Sequence, residues 1–252
     1  MLKNLPDGKM YNFFIDDNVF FFHDIIKNSF ASIFDNFYLA GLKKIHEKYG
    51  TVFTLNSFFH NHHSPEFDLS QADDRYRDEF EKNSDWLRLA FHGYSEFPEY
   101  PYSIGCPEKM TGHYKQWHEA IIRIAGEKTL IAPVIFHYFD TTAENRRLMR
   151  EKGMKFFAVP QENVFSYNAE FEQYDMSVDV ILNLFGADID GIKNRLESKI
   201  NAGQDKILIG SHEQYAYKFY CNYIPEYFAE IEAACEIMKK YGYESVYFNE
   251  LI

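Results

Sequence analysis

The sequence is short of positive charge. It carries 26 Lys and Arg against 38 Asp and Glu, a formal net charge of −12. Nucleic-acid binding needs a basic stripe that displaces counterions, and docking on anionic lipid needs a polybasic patch; the balance argues against both partners. Cysteine is scarce: Cys106, Cys221 and Cys235 are odd in number and form no CxxC. That argues against a disulfide framework or a thiolate zinc site and leaves spare buried thiols. No window approaches the ~18–20 apolar residues of a membrane span. The start, MLKNLPDGKMYNFF, has no basic stretch followed by an apolar run, so no signal peptide is expected and the expected location is cytoplasmic. GxGxxG, GxxxxGK[ST], GxSxG and HExxH are all missing. Nicotinamide, P-loop, nucleophile-elbow and zincin chemistries lose support accordingly.

What the chain has in abundance is aromatic residues, 25 Phe and 19 Tyr. This content rules out global disorder and offers stacking surface beyond the needs of a core. A length of 252 residues suits one domain of barrel size, and no Ser/Gly linker or repeat divides it. Strands are expected at Tyr11–Ile15, Val52–Phe59, Trp86–Phe91, Leu130–Phe136, Phe156–Val159, Lys206–Gly210 and Glu244–Phe248. Helices are expected over Phe30–Tyr49, stopped by Gly50, and over Gly112–Gly126, Ile189–Asn201 and Pro225–Tyr241. Another is expected from a Thr141/Glu144 capping box to Gly153. An insertion from His60 to Asn83 is polar and rich in acids and histidines, its later half (Gln71–Lys82) a solvated helix; Asn163–Leu184 suggests two or three short strands. Strands alternating with helices predict βα units around a parallel sheet, as a barrel or a doubly wound sheet.

In such folds the working residues follow the strands, at their C-terminal ends. Those positions hold Asp16 and Asp17 after YNFFI, then His60, His62 and His63 after VFTLNSFF, and His92 and Glu96 after WLRLAF. They also hold His137 and Asp140 after LIAPVIF, and Ser211, His212 and Glu213 after KILIG. Adjacent carboxylates repel unless a cation lies between them or one holds a proton. One can bind metal while the other acts as a base on metal-bound water. Imidazole and carboxylate four residues apart, as in His92-Gly-Tyr-Ser-Glu96, can share an ion if the segment turns. His212 and His137 stand where an imidazole can deliver a proton near neutral pH. His60-Asn-His62 is an HxH that can place two imidazoles on one metal. Each motif alone has a plain structural meaning: a turn acid, a satisfied core histidine, a solvated loop. Their recurrence at strand ends carries the functional meaning.

The order of these motifs resembles the polysaccharide deacetylase (NodB-homology) family, carbohydrate esterase family four. FFIDDN is similar to the family's TFDDG, and GLKKIHEKYGTVFTLNSFF to its helix followed by a strand ending in TFF. HGYSE stands where the family has HSxxH, with Glu96 in place of the second histidine. VIFHYFDTTAENRRLMREKGMKFF resembles the third motif, with His137 near the arginine position and RxPxG itself lost. ILIGSHEQY supplies the closing histidine, and EIMKKYGYESVYFNELI resembles the last helix and strand. The family's fourth motif, an Asp-Trp pair, has no counterpart beside Asp175 and Asp179.

The resemblance covers nearly the whole chain and implies an α/β fold, a distorted (β/α) barrel. It implies a metal-dependent hydrolase removing an N- or O-acyl group, acetyl first, from a carbohydrate or an acylated small molecule. Asp17, His92 and Glu96 are the implied ligands of a divalent metal ion: zinc, or else cobalt, manganese or nickel. Asp16 is the implied base and His212 the acid, and His137 is a further ligand or orients Asp16. Tyr94, Tyr138 and Tyr215 flank these residues and offer rings for a sugar. Two alternatives stand beside this expectation: an amidohydrolase-type enzyme using His60 and His62, and an inactive glycan-binding relative.

Overall fold

Every residue of β1 (Met10–Asn18) is buried. A strand covered on both faces belongs in the middle of a parallel sheet flanked by helices. The computed structural model describes residues 5–102, 107–139, 141–183 and 188–252; Cys106, Asp140 and Leu184 lie outside them. After β1 come α1 (Phe20–Asn28), α2 (Phe37–Tyr49), β2 (Phe53–Phe58), α3 (Arg77–Lys82), β3 (Leu87–Gly93), α4 (Pro107–Ala125) and α5 (Ala143–Glu151). Then follow β4 (Phe156–Val159), β5 (Phe165–Asn168), β6 (Gln173–Ser177), β7 (Val180–Ile181), α6 (Ile189–Asn201), β8 (Lys206–His212), α7 (Tyr227–Lys240) and β9 (Glu244–Ser245). The main sheet runs β3-β2-β1-β8-β7 with β9 on β1, and a second sheet runs β4-β6-β5. All pairs are parallel except β5 with β6.

Segment 130–136 joins the two sheets. Ile131 N–H donates to Leu89 O on β3 at 3.0 Å, and Val134 O accepts from Ala158 N–H on β4 at 2.6 Å. It was expected as a strand, yet it forms only the isolated Leu89–Leu130 bridge. The cause is local. Pro133 has no N–H to give a ladder, and the Asn249 side chain takes up the carbonyls of Ala132 and Pro133 at 2.6 and 3.0 Å. The strands thereby wrap into a distorted barrel. Along β1, Phe13 and Ile15 join the large cluster shared with the helices, while Phe14 meets Val134, Phe156, Ala158, Met176 and Leu208. These partners come from β4, β6, β8 and the 130–136 segment, so this second cluster ties the two sheets together. Each such side chain contributes roughly 1.5–3 kcal/mol by burial. Gly210 makes room here: a Cβ on it would stand 2.4 Å from the Phe14 ring.

Other departures from the sequence expectations are also local. The expected Phe30–Tyr49 helix starts at Phe37, because Asn36 Oδ1 accepts from Tyr38 and Leu39 N–H at 3.0 Å and caps it. Helix α1 was not expected. The 60–83 segment is less solvated than its composition suggests, since Phe67, Leu69, Ala72, Tyr76 and Phe80 are buried. Its helix, α3, keeps only Arg77–Lys82. Among the described residues no helix is long and apolar enough to cross a membrane.

Candidate metal centre

Two adjacent carboxylates on a regular strand would point to opposite faces. β1 avoids this with a register shift against β2 between Ile15 and Asn18, and Asp17 takes the left-handed region at φ 62. Such a break re-aims side chains at a strand end, and a non-glycine residue there is strained by roughly 1–3 kcal/mol. Asn18 secures it: its side-chain N–H donates to Ile15 O at 2.6 Å and Asn56 O at 3.1 Å, and its Oδ1 accepts from Tyr38 Oη–H at 2.8 Å. Both carboxylates then face one ring. His92 Nε2 lies 3.2 Å from Asp17 Oδ1, and His92 Nδ1 lies 3.6 Å from Asp16 Oδ1.

His137 completes a triangle. Its Nδ1 is 3.2 Å from His92 Nε2 and 3.4 Å from Asp17 Oδ1. All three residues are buried, and they form a group able to hold a metal ion. The protons are already placed elsewhere. His137 Nε2–H donates to the Glu96 main-chain carbonyl at 2.9 Å, and the natural place for the His92 proton is Nδ1, facing Asp16. That tautomer assignment, made from the network, leaves lone pairs on His137 Nδ1, His92 Nε2 and Asp17 Oδ1. Asp17 Oδ1 is buried without a well-formed hydrogen bond. Three converging lone pairs call for a cation. Ligand bonds of about 2.0–2.2 Å would put the atoms of one tetrahedral face about 3.3–3.6 Å apart, close to what is found. The backbone carbonyl behind His137 is the outer support that ligand imidazoles usually have.

Electrostatics separate the two aspartates. Burial opposes ionisation of Asp17, but His137 and His92 hold it well below the usual carboxylate range. Asp16 is pushed well above that range by burial and by the Asp17 charge, against the pull of Asn56, whose side-chain N–H donates to Asp16 Oδ1 at 2.7 Å. Burial lowers His92 to about 4, so the ring is neutral at pH 7, the form a ligand needs. His212 is the residue opposite Asp16 in the β1–β8 ladder. Burial lowers its pKa too, and its Nδ1–H donates to Asn183 Oδ1 at 3.0 Å.

The structure thus brings together Asp16, Asp17, His92, His137 and His212. The Glu96 side chain points elsewhere: its Oε2 accepts from His63 Nε2–H at 2.5 Å, so His137 stands in the triangle where spacing alone suggested Glu96. His60 stacks on Tyr94 at 5.9 Å and His62 packs at a tilt against Phe97 at 4.7 Å; among the described residues neither joins a metal-holding group. The Tyr138 ring lies 4.2 Å from His137 and Tyr215 lies 6.0 Å from His212, whereas Tyr94 packs between Phe59 and His113. Asn18, Asn56 and Asn183 were not anticipated. Asn56 left a trace, an amide inside the apolar run VFTLNSFF; Asn183 left none.

No family model and no curated protein matches the chain, but solved structures share its architecture. The Bc1960 peptidoglycan N-acetylglucosamine deacetylase superposes with a TM-score of 0.59 at 11% identity, over 98% of this chain and 90% of that one. A family 4 acetyl xylan esterase from Clostridium thermocellum, in complex with a cobalt ion, gives 0.55 at 14%, over 96% and 90%. BA3943, a family 4 pseudoenzyme from Bacillus anthracis, gives 0.56 at 12%, over 98% and 66%. At such identities the likeness is one of architecture: the chain has the fold of the carbohydrate esterase family 4 polysaccharide deacetylases.

Proposed function

We propose that the protein is a divalent-metal hydrolase that removes an N- or O-acyl group, acetyl first, from a carbohydrate. The observation that carries this reading is the convergence of Asp17 Oδ1, His92 Nε2 and His137 Nδ1, 3.2–3.4 Å from one another, beside a second carboxylate and a histidine. These three would hold the cation, and a donor set of two nitrogens and one oxygen suits zinc, with cobalt, manganese or nickel as substitutes. A bound ion of this kind lowers the pKa of a water toward about 7 and polarises an acyl carbonyl.

The proton work falls to the chain. Asp16 Oδ1, steadied by Asn56, takes the proton of the attacking water; burial and the Asp17 charge make it a stronger base than an ordinary carboxylate. His212 acts in its imidazolium form: Nδ1–H stays tied to Asn183 while Nε2–H passes its proton to the departing amine or alcohol, and the proton taken up by Asp16 offsets the one His212 must regain before the next turnover. Tyr138 and Tyr100, with ring centroids 5.0 Å apart and 37% and 54% exposed, offer faces for a sugar ring.

Mass-spectrometric metal analysis of the purified protein, paired with hydrolysis assays on acetylated oligosaccharides, tests the reading. Near-stoichiometric metal, lost in Asp17→Ala, is expected. Metal-free protein that stays inert with added zinc, cobalt, manganese and nickel would sink the reading and leave a glycan binder.

A further inference from the structure

Glu96 is tied to the candidate metal centre twice, and neither tie is ligation. Its main-chain carbonyl accepts from His137 Nε2–H at 2.9 Å. Its carboxylate, with the side chain 13% exposed, accepts from His63 Nε2–H at 2.5 Å. His63 comes from the 60–83 insertion, and its own ring is fixed edge-on by Phe20 at 5.4 Å and Tyr220 at 5.8 Å. Among the described residues His63 is the one hydrogen-bonding or ion-pairing partner of that carboxylate. Glu96 follows the candidate ligand His92 by four residues and its main chain touches the candidate ligand His137, so its carboxylate is a candidate fourth protein ligand once His63 lets it go. Four protein ligands make a closed, structural site, whereas three leave the open position that catalysis needs.

We propose that His63 is a latch that holds the Glu96 carboxylate off the cation and so keeps one coordination position open. It is a positioning residue, acting through Glu96. The inference rests on the metal-hydrolase reading of the same centre and adds a role for the insertion.

Cobalt loading tests the latch by calorimetry and by the visible absorption of the bound ion, with turnover as a third readout. With the latch removed in His63→Ala, Glu96 closes on the ion. Cobalt affinity should rise about 10-fold, within the range that outer residues exert on metal sites. The visible spectrum should change and turnover should fall. Adding Glu96→Gln to His63→Ala should return affinity and spectrum toward wild type. His63→Gln keeps an N–H donor for Glu96 and should resemble wild type in both, which separates latching from simple loss of packing. If His63→Ala binds cobalt with wild-type affinity and spectrum, the latch is wrong while the metal site stands. Wild-type protein that binds no cobalt overturns both.

Discussion

His137 Nδ1 faces Asp17 Oδ1 across 3.4 Å, with its other nitrogen already committed to a main-chain carbonyl. With the ring's lone pair on Nδ1 the two atoms repel unless a proton or a cation lies between them. His137→Ala should therefore weaken divalent-metal binding on the order of 100-fold or more, beyond the 10–100-fold typical of outer residues. Glu96→Gln should leave affinity within a few-fold of wild type. Titration calorimetry of the two variants decides which residue is the third ligand; the reverse order would return the role to Glu96.

Asp16 and His212 are placed to move protons and not to hold metal. Asp16→Asn and His212→Ala should each retain metal and lose on the order of 10²–10⁴ in turnover. Metal content and kcat measured on the same preparations check this. Normal hydrolysis by Asp16→Asn would remove it as the base.

The strand framework was legible because β1, β2 and β8 are buried runs with little polar interruption. Their ends were legible because Asp16, Asp17, His92 and His212 break those runs abruptly. Helix α1 escaped notice because it is short, nine residues, and opens on three consecutive phenylalanines; its polar face, His23, Asp24, Lys27 and Asn28, spans only two turns. The third ligand was harder still. Local spacing favours Glu96, four residues from His92, but His137 arrives from 45 residues along the chain. The sequence offered His137 only as a further ligand or as an orienter of Asp16; the path of 130–136 across the gap between β3 and β4 brings it into the triangle in place of Glu96. The insertion misled through composition: its charged residues outnumber the five side chains that anchor it.

Glu230 on α7 gives a pH signature away from the centre. The residue is 6% exposed and its Oε2 has no hydrogen-bond partner. Burial, then the Glu226 charge, raises its carboxyl to about 7. Between about pH 4.5 and 7 the unfolded chain releases this proton while the native state keeps it, so the native state binds more protons and stability falls as pH rises. Glu230→Gln removes that slope. The variant should gain on the order of 3 kcal/mol relative to wild type at pH 8 and nothing at pH 4. Urea unfolding of both proteins at the two pH values measures the difference, and equal gains at both would refute the assignment.

Glu213, wholly buried just after His212, caps a helix from a distance. Helix α1 has no side-chain cap of its own. Instead Glu213 Oε2 accepts from Val19 and Phe20 N–H at 2.6 and 2.9 Å, and Oε1 accepts from Phe21 N–H at 2.6 Å. These bonds satisfy three otherwise orphaned donors and favour the charged carboxylate at the positive end of the helix, against burial, which raises the carboxyl to about 8. They also bolt the end of β8, which carries His212, to the turn that aims Asp17. An amide cannot accept at both ends, so Glu213→Gln strands at least one buried N–H and should cost about 1–3 kcal/mol. For a chain of this size that lowers the melting temperature by roughly 2–12 °C. Because the same bonds set the spacing of Asp17 and His212, kcat at temperatures well below the transition should fall too. A variant that melts early but turns over normally when folded would confine Glu213 to stability.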